Sequence, residues 1–88
     1  MPQPFAVFWD FEEGGNAEHL LEHGVSADEA EQIIDRYFDQ REPSRSTPEY
    51  FVVRGFTEAG RFLLVVFEYL DDEDVVIPVT AYEPEVLP

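Results

Sequence analysis

The sequence predicts one α+β domain over residues 1–88, ordered β-α-α-β-β-β, with a small antiparallel sheet packed against two helices. Three observations predict it. An apolar stripe at helical spacing follows a helix-start signal at Ser26. Three strand-like apolar runs follow residue 49, separated by turn sequences. One aromatic run, Phe5-Ala6-Val7-Phe8-Trp9, stands near the N-terminus.

That aromatic run is the expected first strand. Asp10 to Asn16 breaks it, with Gly14-Gly15 as the flexible point. Asn16 is the expected cap of a first helix over residues 17–23, with Leu20 and Leu21 as its apolar pair. Gly24 occupies the place where a helix stops in the left-handed conformation. Ser26-Ala27-Asp28-Glu29 then fits a capping box, a hydroxyl at the cap and a carboxylate three residues on. The helix it opens places Ala27, Ala30, Ile33, Ile34, Tyr37 and Phe38 on one face. Residues 40–48 (QREPSRSTP) are expected to form a polar loop. Residues 50–56 make the second strand, 57–60 a turn, and 61–70 the third strand. The unbroken run Phe62-Leu63-Leu64-Val65-Val66-Phe67 predicts a central strand covered on both faces. Asp71 to Asp74 is a solvated acidic turn, and residues 75–82 are the last strand. Pro78 lacks an N–H, so an edge position or a bulge is expected there. No helix signal follows Glu83.

Charge narrows function more than any motif. Twenty acids face five arginines, with no lysine and no cysteine. Residues 1–48 hold eleven acids and three Arg, net −8; residues 49–88 hold nine acids and two Arg, net −7. The acidity is therefore expected over the surface as a whole and not in a tail. It repels phosphate, whereas nucleic-acid affinity rests on Lys and Arg. It suits a basic partner, or a salty cytoplasm where screening relieves self-repulsion. No disulfide, thiolate chemistry, signal peptide or membrane span is expected, which points to the cytoplasm.

The ordered pieces resemble a known family. Trp9-Asp10 is followed by Asn16-x-x-His19-Leu20-x-x-His23-Gly24-Val25-Ser26-x-x-Glu29-Ala30-Glu31, then Gly55-x-Thr57-x-x-Gly60-Arg61-x-Leu63-x-Val65-Val66-Phe67, then Val79-Thr80-Ala81. From Trp9 to about Glu83 this is similar to the BrnT toxins of bacteria and archaea. The resemblance implies a RelE-like fold, a ribonuclease activity and an antitoxin partner. It also shows departures. Glu22 stands where the family usually places lysine, Tyr50 and Val52 where arginines are common, and Thr80-Ala81-Tyr82-Glu83 where Ser-Ala-Arg-Arg is usual. The family's C-terminal helix has no counterpart.

RNA cleavage needs a base, an acid and cations for the phosphate. The candidates are His23 as base, Arg61 as phosphate clamp, Tyr82 as proton donor and Glu83 as a second base. His19, Arg54 and Trp9 are candidates for contact with RNA or another ligand. The competing reading has His19 and His23 cap and pack the first helix against the sheet, and Trp9 fill the core. His19 and His23 also lie four apart, as two metal ligands on a helix would, with Glu18, Glu22 or Asp10 in reach. No second ligand cluster accompanies them, so neither metal nor cofactor is expected. Arg36, Arg41 and Arg45 form the one basic cluster, and salt pairs with Asp35, Asp39 and Glu42 are expected there. Three functions compete: a degenerate toxin-family domain that binds an antitoxin-like or other basic protein, an active endoribonuclease toxin adapted to high salt, and a metal- or small-ligand-binding module.

Overall fold

The computed structural model describes residues 5–85. The elements are β1 (Ala6–Val7), α1 (Asn16–Glu22), α2 (Ala27–Tyr37), a 3-10 turn (Phe38–Gln40), β2 (Glu42–Pro43), β3 (Tyr50–Phe56), β4 (Phe62–Leu70) and β5 (Val75–Tyr82). The sheet order is β1-β5-β4-β3-β2. The fold is thus α+β, with both helices and the β3-β4-β5 meander where they were expected.

The sheet is mixed rather than antiparallel, because β1 runs parallel to β5. Hydrophobic periodicity places a strand but says nothing about its neighbour, so this pairing could not be anticipated. The expected polar loop also contains β2, a two-residue strand on the free edge of β3. Glu42 and Pro43 have no strand pattern of their own, and pairing with β3 alone orders them.

β1 is shorter than its aromatic run, and Pro78 supplies the reason. Ala6 N–H donates to Asp74 O, and Phe8 N–H donates to Val76 O, both at 2.8 Å. The next bond of a parallel ladder would run from the amide of residue 78 to Phe8 O, and proline has no N–H. Asn16 replaces it. Its Nδ2 donates to Phe8 O at 3.1 Å and to Pro78 O at 3.0 Å, and its Oδ1 accepts from Asp10 N–H at 2.8 Å. Asn16 is therefore a stitch between two strands and not the helix cap, a place held by Gly15 without a side-chain bond. The register also slips beside Pro78: Phe67 pairs with Pro78 and Val66 with Thr80, leaving Val79 as the extra residue of a bulge.

Both helices pack on one face of the sheet. Leu20, Val25, Ile33 and Ile34 meet Val53, Leu63, Val65, Phe67, Val76 and Ala81 there. Tyr37 crosses β3 at Gly55, where a Cβ would fall inside the tyrosine ring, and Tyr37 Oη accepts from Phe56 N–H at 3.1 Å. Among the described residues, the other face has no helix. Alternation puts Val52, Leu64, Val66, Leu70, Val75 and Ile77 on it, all half-buried. The expectation that β4 is covered on both faces is therefore corrected: an uninterrupted apolar run marks two apolar faces, and only one has a cover.

Candidate functional site

The corner between α1 and α2 is built by local rules. Gly24 turns at φ +80, Val25 is buried, and the Ser26–Glu29 capping box forms. Glu29 N–H donates to Ser26 Oγ and Ser26 N–H donates to Glu29 Oε1, each at 3.1 Å. The opposite wall is the β3–β4 turn. Thr57, almost fully buried, accepts from Arg61 N–H through Oγ1 at 3.1 Å, and Gly60 closes the turn at φ +87. This delivers Arg61 to the corner, where a Cβ on Gly24 would stand 3.6 Å from its Nη2.

Arg61 is not free there. Its Nη1 donates to both oxygens of Glu29 at 3.0 Å, and its Nη2 lies 3.8 Å from Glu83 Oε1. One cation thus stands between two carboxylates. Partial burial pushes the Glu29 carboxyl up, but the Ser26 N–H and Arg61 outweigh it and hold the group below its ordinary value. Glu29 is the site residue that sequence reasoning missed. The capping box identified it as a helix starter, whereas its contact with a residue 32 positions away is tertiary.

The other candidates are scattered. His23 terminates α1 and His19 precedes it by a turn; both are exposed, with ring centroids 5.1 Å apart. Their rings face each other, His23 caps the helix as expected, and neither is buried against the sheet. Among the described residues, no three His, Asp or Glu side chains come together in a metal-binding group. Tyr82 and Arg54 sit on the open face of the sheet, each in register with Leu64 from opposite sides, so β4 separates them by two strand spacings, about 9.6 Å. Trp9 is half-buried, packs on the core and donates Nε1–H to Glu31 at 2.8 Å.

Two concavities of the surface lie away from the corner. One, of about 260 Å³, is lined by Gln40, Glu42, Val52, Val53 and Arg54. The other, of about 170 Å³, is lined by Asp28, Glu31, Gln32 and Asp35. Neither gathers cations. Among the described residues, Arg36 and Arg41 make contacts other than the expected salt pairs. Arg36 donates to Phe56 O at 2.8 Å, and Arg41 lies 4.2 Å over the Phe38 ring, flanked by Phe51 and Tyr69. Among the described residues no helix is long and apolar enough to cross a membrane. No protein-family model, curated protein or solved structure matches the chain.

Proposed function

We propose that this chain is a BrnT-like, RelE-related domain whose RNA-cleavage site is degenerate, and that it acts by binding a basic protein partner. The pairing of Arg61 supports this most. The cation beside the His23–Gly24 corner is already neutralised by Glu29 and faced by Glu83. An incoming phosphate would have to displace a two-oxygen carboxylate contact and then sit beside two anions, within a protein of net charge −15. The same charge favours a cationic protein, whose association it would steer.

The test is cleavage of labelled mixed-sequence RNA by the purified full chain, from low to molar salt. No cleavage is expected, and His23→Ala or Arg61→Ala should change nothing. Robust cleavage abolished by either substitution overturns the proposal and restores the active, salt-adapted toxin.

A further inference from the structure

Among the described residues, no element covers the open face of the sheet. Its rows run Tyr50–Glu68–Ile77, Val52–Val66–Thr80 and Arg54–Leu64–Tyr82, closed by Phe56–Phe62 at one end and Leu70–Val75 at the other. Phe56 is 44% exposed and Tyr82 41%, and the apolar residues between them are half-buried without a helix above. Arg54, Glu68 and, at the β2 edge, Glu42 are its charged residues. Six further acids stand at its ends: Asp71 to Asp74 beyond Leu70–Val75, and Glu58 and Glu83 near Phe56–Phe62, all exposed. An apolar floor between two anionic ends is a layer that lacks its cover.

We infer that this face docks one amphipathic helix of a protein partner, its apolar stripe on Val52, Leu64, Val66 and Ile77 and its Lys or Arg flanks on the acidic ends. This rests on the basic-partner reading above and assigns its surface. Size and charge choose the occupant. Three strands of about eight residues span roughly 25 Å by 14 Å, on the order of 350 Å². That matches a helix of about 16 residues at 1.5 Å per residue. It falls well short of the ~800 Å² per partner of a standard protein interface, which disfavours a stable pair of identical chains. A second copy would also bring another −15 charge and set acidic ends within a Debye length of about 8 Å of each other. A cationic helix reverses that sign.

The probe is a fluorescent leucine–lysine amphipathic peptide of about 16 residues, titrated into the full chain. A scrambled peptide of the same composition, with no stripe, is the control. The striped peptide should bind at least about tenfold tighter than the scrambled one. Val66→Asp makes the decisive variant, because it adds a negative charge. Binding by charge alone would hold or tighten; docking on this face should weaken by about tenfold or more. Ile77→Thr, a milder change with its melting checked, should weaken binding several-fold and guards against misfolding of the first variant. Amide shifts should cluster on Val52, Leu64, Val66 and Ile77. If both variants bind as the parent does and the shifts fall on α2, this docking face is overturned while a basic partner stands. If neither peptide binds at any salt concentration, both readings fall. Sedimentation as a dimer that Val66→Asp dissociates would make a second copy the occupant and overturn the helix.

Discussion

Asn16→Ala is the sharpest test of how β1 is attached. The carboxamide makes three hydrogen bonds, to Phe8 O, Pro78 O and Asp10 N–H, joining segments as much as 62 residues apart. At about 1 kcal/mol each, and reduced because the site is only partly buried, the loss should be about 2 kcal/mol. For a domain of this size that lowers the melting temperature by about 10 °C. The mechanism predicts more than a loss. Asn16 Nδ2 stands in for the N–H that proline lacks, so Pro78→Ala, which restores a backbone donor to Phe8 O, should make Asn16 less necessary. In a double-mutant cycle followed by thermal and urea denaturation, the two substitutions should couple by about 1 kcal/mol. Strict additivity would refute the replacement argument. A melting temperature unchanged by Asn16→Ala would refute the attachment itself.

Three further outcomes are expected. Gly55→Ala should destabilise by about 1–3 kcal/mol by driving a methyl into the Tyr37 ring. In a Tyr37→Ala background the same change should be neutral or stabilising by about 0.5 kcal/mol, since glycine is a poor strand residue; both signs are readable by urea denaturation. Glu29 has a folded-state pKa below its ordinary value, so its contribution is full above about pH 4.3 and is lost as pH falls through the lowered value. Glu29→Gln should therefore flatten the pH dependence of stability in that acid window, and an unchanged slope would mean the Arg61 pair contributes nothing. Raising NaCl from about 0.05 M to about 1 M should raise the melting temperature, because screening relieves the repulsion among twenty acids. A fall would show that specific ion pairs outweigh the net charge.

Features set by local chemistry were legible in the sequence. The Ser26–Glu29 box, the Gly24 and Gly60 turns and the strand bounds at 50–56 and 75–82 follow from cap, turn and period rules that involve near neighbours. The bulge beside Pro78 was legible for the same reason: a missing donor is a property of the residue. What the sequence hid is tertiary. Two residues of β2 and the parallel partner of β1 depend on strands far away in the chain. The two-sided apolar character of β4 is written in Leu63 to Val66, but the presence of a cover on each side is not. At the candidate site, the sequence placed Arg61 on the turn after Gly60, yet only folding revealed that Glu29 reaches it first. Asn16 was expected to serve its own helix because asparagine does so most often, and the donor gap left by a proline 62 residues away overrode that preference.

The composition of the open face is not required by the fold. Strand preference is met by threonine as well as by valine or isoleucine, and Thr80 shows that a hydroxyl is accommodated on the row beside Val66. Antiparallel sheets with one covered face ordinarily alternate apolar and polar residues, keeping the wet side polar. This meander instead repeats Val52, Leu64, Val66, Leu70, Val75 and Ile77 on its open side, in a chain where more than one residue in five is acidic. With that many carboxylates available, a solubilising open face would have been the simplest arrangement. Among the described residues, carboxylates stand at the ends of these strands and on the helices and loops, while the floor keeps apolar residues whose exposure in water has a standing free-energy cost. A partner that covers the floor and neutralises its ends removes both penalties at once, whereas an RNA strand would neutralise neither.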